Sequence, residues 1–202
     1  MKNIKILLFT INLTLLTLTT HVLAADKDGK FAAKGAARKS CADFLTATEH
    51  RSSDFLLYAG WLEGYLTSFN QVQAKNYDIS PWQTTELLLM LLQKHCQSNP
   101  EIKYFDAANA LIKSIFPIRL NEESTIVKVQ IGDAVGFHYE EILLRAKQRL
   151  KAMGFYKDEV DGKHFTTIDS KVFLAYQKKL GLKETGMPDQ VTLASLFLKA
   201  LN

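Results

Sequence analysis

Apolar residues recur at three- and four-residue spacings through most of the chain, the periodicity that gathers side chains on one face of a helix. CADFLTATEH, with Phe44 and Leu45 apolar and Ser40 placed to cap it, predicts a short first helix. Phe55, Tyr58, Leu62, Tyr65, Leu66 and Phe69 form a stripe along a longer helix from Asp54 to about Val72, behind a cap at Ser52 or Ser53. Gly60 and Gly64 interrupt that stripe, and close approach of another helix is the expected reason for them. Ser80 and Pro81 are read as the start of WQTTELLLMLLQKHC, with Leu88, Leu91, Leu92 and Cys96 facing inward, until Asn99 and Pro100 stop it. EIKYFDAANALIKSIF makes a further helix ending before Pro117.

The pattern then changes. PIRLNEES is polar and turn-rich, and alternation in TIVKVQIGDAV predicts a short strand from about Thr125 to Ile131. A single strand leaves its edges unpaired, so it either pairs with a loop or remains an extended linker. Phe137, His138 and Tyr139 are read as packing at a boundary. Beyond them the helical period returns. Leu143, Leu144, Ala146, Leu150 and Met153 lie on one face, and Gly154 ends that helix; Val172, Phe173, Tyr176 and Leu180 repeat the pattern; Asp189 caps VTLASLFLKAL. The fold class expected is all-α, a disulfide-stapled N-terminal helical bundle followed by a three-helix domain.

At the other end, Lys2 and Lys5 open an apolar run, ILLFTINLTLLTLTT, followed by VLAA, which has the form of a secretory leader cut after Ala24. The divisions read from the sequence are a signal peptide at 1–24, a flexible mature N-terminus at 25–37, a helical domain at 38–116, a linker with a possible short strand at 117–139 and a second domain at 140–202. The expected location is periplasmic, with no stable membrane span after cleavage. In an oxidising compartment the only two cysteines, Cys41 and Cys96, are expected to form a disulfide.

Charge excludes little but does argue against nucleic acid. The formal net charge of +4 loses Lys2 and Lys5 with the leader and falls to +2, too weak a balance for a polyanion-binding surface. The local basic stretches KGAARK and RAKQRLK are read as solvated surface. His50, His95, His138 and His164 have no metal-ligand spacing, so no metal and no cofactor is expected. Glu63 has no carboxylate partner, and paired cysteines cannot serve as nucleophiles. No catalytic residue is assigned, and the chain is read as a non-enzyme.

Two stretches carry family resemblances. KQRLKAMGFY, EVDG, YQKKLGL and TGMPDQVTLASL, across residues 140 to 200, resemble the peptidoglycan-binding domain attached to wall hydrolases and other envelope proteins. That resemblance implies a three-helix fold that binds peptidoglycan noncovalently and localises whatever is attached to it. The chain departs from the family pattern at KHFTTIDS, which carries one extra residue and lacks a glycine; Phe165 keeps the aromatic place, and Thr167 or Asp169 is expected to replace the cap. More loosely, CADFL, WLEGYLTSFN and HCQSNP resemble HdeA/HdeB-like periplasmic proteins and, equally, small immunity proteins of type VI secretion.

Candidate ligand-binding residues are Tyr156, Asp161, Phe165, Tyr176 and Gln177, because polar groups can hydrogen-bond sugar or peptide and an aromatic face can cover the apolar side of a sugar ring. The leading expectation is a noncatalytic wall-binding protein whose N-terminal domain meets a periplasmic protein partner. An acid-stress chaperone and a toxin-neutralising immunity protein are the alternatives.

Overall fold

The computed structural model describes residues 26–50 and 52–198. The expected leader and its expected cleavage site after Ala24 lie outside the described residues. Residues 26–32 belong to a unit of their own, a turn closed by the Asp26 carboxylate, which accepts from the backbone N–H groups of Asp28 and Lys30.

The remainder begins with one helical turn at Gly35–Arg38, followed by α1 (Cys41–Glu49), α2 (Ser53–Val72), α3 (Thr85–Ser98) and α4 (Tyr104–Ile115). Ser40 and Asp43 form a reciprocal capping box at the start of α1, satisfying two backbone N–H groups that a helix terminus otherwise leaves open. The first three rings of the core, Phe44, Tyr58 and Tyr104, come from three different helices. Their centroids lie 4.9 to 5.2 Å apart in tilted and edge-on arrangements, the geometry that aligns ring edges with ring faces. Beside them the Cys41–Cys96 disulfide ties α1 to α3 with the Cα atoms 5.0 Å apart. Closing a loop of 55 residues removes unfolded-state entropy on the order of 4 kcal/mol in the chain-entropy account.

Two details differ from the sequence reading. Helix α3 starts at Thr85, capped by Thr84, and not at Ser80–Pro81. The intervening turn is held elsewhere: Tyr77 donates its N–H to the Leu120 carbonyl, and Leu120 returns one to Asp78, each at 2.8 Å. Residues 77–78 are thereby tied to the segment after α4, and Trp82 is buried ahead of the helix, against Phe197. Gly60 and Gly64 do not mark a close helix approach either, since an added Cβ at either position meets nothing within 4 Å.

The chain is predominantly helical, not all-α. Strand β1 (Ile126–Ile131) pairs antiparallel with β2 (Ala134–Tyr139), in a register running from Ile126 opposite Tyr139 to Ile131 opposite Ala134. Gly132 and Asp133 make the two-residue turn, with Gly132 at φ 57° in the first central position, where a mirror-image type II turn favours glycine. The inward strand residue Val129 is fully buried against Leu143 and Met187.

Helices α5 (Glu140–Ala152), α6 (Thr167–Lys179) and α7 (Gln190–Phe197) complete the chain. Phe173, Tyr176, Leu193 and Phe197 belong to the same apolar cluster as Phe44 and Tyr104, so one core runs through both halves of residues 33–198. Trp82 meets Phe197 with centroids 5.6 Å apart, and the Gln190 side chain accepts from Thr84 N–H and donates to the Trp82 carbonyl. Arg145 donates to the carbonyls of Ile118 (3.1 Å) and Arg119 (2.9 Å) while paired with Glu141. Met153 and Leu180, placed on the apolar stripes by spacing, are exposed because each sits just past the last turn of its helix.

The open space beside Gly60 and Gly64 leads to a stability prediction. Gly60→Ala and Gly64→Ala should each stabilise the protein by up to about 1 kcal/mol through helix propensity alone, read as a higher urea midpoint with an unchanged slope. Loss of stability would mean that this face is covered in solution.

Candidate functional site

The stretch between α5 and α6, residues 153–166, leads into KHFTTIDS (163–170), where the sequence departs from the family pattern, and its position is set by a buried ion pair. Lys147 projects from α5 and Asp169 from the first turn of α6, only 2% and 5% exposed, with Nζ 3.1 Å from Oδ2. Thr166 is the N-cap of α6, and Asp169 is its N3 partner in a capping box; Asp169 accepts from the Thr166 backbone N–H at 2.6 Å and from its hydroxyl at 2.8 Å. The cap expected at Thr167 or Asp169 thus falls on Thr166, because only there can both reciprocal bonds form. Tyr156 donates its hydroxyl to Asp169 Oδ1 at 2.8 Å, and Lys147 also donates to the His164 carbonyl at 2.6 Å. Two buried charges are therefore paired and hydrogen-bonded by the loop they organise.

The protonation states follow from this geometry. Burial pushes the Asp169 carboxyl up, but bonds from Thr166, Tyr156 and Lys147 outweigh it and hold the group below the ordinary carboxylate value. Burial, reinforced by Asp169, raises the Tyr156 phenol, which stays neutral as a donor. Asp161 stands exposed in the turn and accepts from His164 N–H at 3.1 Å; that bond chiefly lowers its carboxyl.

One glycine is sterically required. A Cβ on Gly162 would lie 2.1 Å from the Glu140 carbonyl oxygen, so the loop crosses the start of α5 at backbone contact distance.

Three of the five candidate residues are brought together here. Tyr156 and Phe165 are half-buried on either side of the Lys147–Asp169 pair, and Asp161 is exposed at the turn between them. Phe165 packs on Phe173 at 5.4 Å, lies 5.7 Å from the Lys147 ammonium, and is backed by the cluster that contains Val129 and Met187. Tyr176 and Gln177 are instead buried on α6. Tyr176 shares a 3.1 Å hydrogen bond with Ser195, and its ring stands edge-on to Phe155. Gln177, with no exposed surface, accepts from the N–H groups of Thr185 and Gly186, and its amide nitrogen lies 2.9 to 3.0 Å from Thr185, Met187 and Thr192 oxygens. In this conformation Gln177 supports the 185–192 segment, Tyr176 packs against α7 and Phe155, and both side chains are buried.

Lys147 and Asp169 were missed as site-forming residues. RAKQRLK reads as solvated surface, yet Lys147 lies four residues from Leu143 on the inward stripe, Arg145 clamps the segment after α4, and Arg149 donates to the Leu196 carbonyl. A lysine at an apolar stripe position was the available signal.

The loop offers hydrogen-bonding groups and aromatic faces, the means to hold a glycan or peptide noncovalently. Among the described residues, no group of three or more His, Cys, Asp or Glu is placed to hold a metal ion.

Residues 140–196 match the family described as "Putative peptidoglycan binding domain". The matched span runs from the first residue of α5 almost to the end of α7. A peptidoglycan-binding domain is therefore present as the C-terminal three-helix region. No curated protein and no solved structure matches the chain. The likeness of the N-terminal region to HdeA/HdeB-like or immunity proteins finds no support in these comparisons. No helix among the described residues is long and apolar enough to cross a membrane.

Removing one member of the buried pair leaves the other charge stranded inside the peptidoglycan-binding domain. Lys147→Met should destabilise by about 3–5 kcal/mol, and the double variant Lys147→Met, Asp169→Leu should recover much of that loss in chemical denaturation. Because the folded-state pKa of Asp169 is lowered, its contribution is present above the unfolded aspartate value near 3.8 and is lost as pH falls through the folded value. Asp169→Asn should accordingly flatten the acid limb of the stability profile. Gly162→Ala should cost about 1–3 kcal/mol, the range for overpacking.

Proposed function

We propose that this protein is a noncatalytic, periplasmic peptidoglycan-binding protein that holds a disulfide-stapled helical region at the cell wall, where that region meets a protein partner. The observation that carries the reading is the family match over α5 to α7. Location follows from the leader-like N-terminus, and the Cys41–Cys96 bridge suits an oxidising compartment. The recognition surface on this reading is the 155–166 loop, with Tyr156 and Phe165 as aromatic faces and Asp161 as a polar contact. Tyr176 and Gln177 act behind it by fixing α6 and the 185–192 segment.

Attachment is direct. Trp82, Gln190, Phe197 and Arg145 fasten the domain to the helical region, so wall binding would orient that region as well as concentrate it. Retention needs only modest affinity, because sites on the wall are abundant and bound fraction follows mass action.

The test is sedimentation of residues 25–202 with purified, protein-free peptidoglycan sacculi. Retention of the parent, with retention reduced at least fivefold by Phe165→Ala and Asp161→Ala at unchanged melting temperature, is the expected result. Failure of the parent to sediment between pH 5 and 8 would refute wall binding. Release of soluble wall fragments would refute the noncatalytic part.

A further inference from the structure

The β1–β2 hairpin has two unlike faces. Its inner face carries Val127, Val129 and Ile131 and seats the hairpin on Leu143, Met187 and the Phe165 ring. On the outer face the register puts Ile126 opposite Tyr139, Lys128 opposite Phe137 and Gln130 opposite Val135. Phe137 is 67% exposed there, with Ile126 and Val135 exposed beside it. Tyr77 joins the row from the turn before α3, 41% exposed, its ring edge-on to that of Tyr139 at 6.2 Å. Packing at a boundary therefore accounts for His138, which shares the inner face with Gly136 and Met187, and not for Phe137.

The polar groups on this face are open as well. Among the described residues the Lys128 side chain makes no ion pair or hydrogen bond, and the Gln130 side chain bonds only to the Gly132 carbonyl of its own turn. Burial, and then Asp78 and Tyr77 beside it, raise the Tyr139 phenol above its ordinary value, so it stays a neutral donor. Six residues per strand at about 3.3 Å each, and two strands about 4.8 Å apart, make a face of roughly 20 by 10 Å, or about 200 Å². A stable protein–protein contact takes about 800 Å² from each partner, so this face is too small to be one by itself. It is wide enough for one extended chain lying along the strands.

The ligand that suits it has apolar and polar surface side by side. A pyranose ring turns C–H bonds to one face and hydroxyls to its rim, which matches an exposed aromatic ring flanked by a lysine and an amide. A purely apolar segment would desolvate Lys128 and Gln130 without pairing them. Position ties the face to the wall-binding domain: Tyr139 runs directly into Glu140, the first matched residue, whose carbonyl lies against Gly162 in the 155–166 loop. We propose, resting on the wall-binding reading, that the outer face of the hairpin is a second wall contact that takes the glycan backbone. One sugar ring stacks on Phe137, while Lys128, Gln130 and the Tyr77 and Tyr139 hydroxyls bind hydroxyl and acetamido groups of its neighbours. The hairpin precedes the matched span of 140–196, so this contact adds to whatever the three helices bind.

NMR titration of residues 25–202 with soluble glycan strands stripped of their stem peptides, and separately with the free stem peptide, tests it beside sedimentation with intact sacculi. Stripped strands should shift the resonances of Lys128, Gln130 and Phe137, and the free peptide should leave them in place. Phe137→Ala and Tyr77→Ala should each weaken binding of the stripped strands at least fivefold at unchanged melting temperature, and Phe137→Trp should keep it. If sacculi retain the parent while stripped strands leave β1 and β2 unshifted, or bind Phe137→Ala in full, this inference falls and wall binding stands. Failure of the parent to sediment removes the wall-binding reading and this one with it. Two further results overturn it alone: the free peptide shifting the same face, or a dimer of the parent that Phe137→Ala dissociates, which gives the face to a second copy.

Discussion

Helix α7 has eight residues, too few to be stable as an isolated helix, and the organisation of the C-terminal half depends on its enclosure. Five of the eight are buried, on more than one face, because α7 packs against α5 on one side and meets the Trp82 turn on another. Asp189 caps its start, accepting from Thr192 N–H at 2.9 Å and from the Thr185 hydroxyl at 2.6 Å, which links the cap to the buried Gln177 network. The short helix thus receives from tertiary contacts the stability that its length denies it. Those same contacts join the peptidoglycan-binding domain to the disulfide-stapled helices.

The second constraint is the Lys147–Asp169 pair. A buried ion pair contributes little net stability against an apolar alternative, yet losing one partner is expensive. Here it gathers Tyr156, His164, Thr166 and the Phe165 ring around two charges, so an irregular loop acquires a defined shape. The junction has its own cost: the Trp82 indole N–H and the Gln83 side-chain N–H are buried without a hydrogen-bond partner among the described residues.

The two regions also differ in where their aromatic residues lie. The C-terminal domain places half-buried rings and an exposed carboxylate on a rigid loop. The N-terminal helices turn aromatic residues inward, in Phe44, Tyr58 and Tyr104.

By itself the sequence determined the helices, their approximate limits and the cysteine pair, because helical periodicity, capping residues and an isolated pair of cysteines are local or compositional signals. The C-terminal family was legible for the same reason, from short motifs at turns and helix ends. The second strand escaped, although Gly132–Asp133 between alternating residues is a hairpin signal, because Val135 and Phe137 face outward and give no apolar stripe. Only tertiary structure decided that α3 begins at Thr85, that Lys147 lies inside, and that Tyr176 and Gln177 are buried. Each of these turns on a partner distant in sequence: Leu120 for the 77–78 turn, Asp169 for Lys147, Ser195 for Tyr176 and Thr192 for Gln177. Periodicity along one helix cannot show which opposing residue will satisfy a buried polar group, and that satisfaction is what permits the group to be buried.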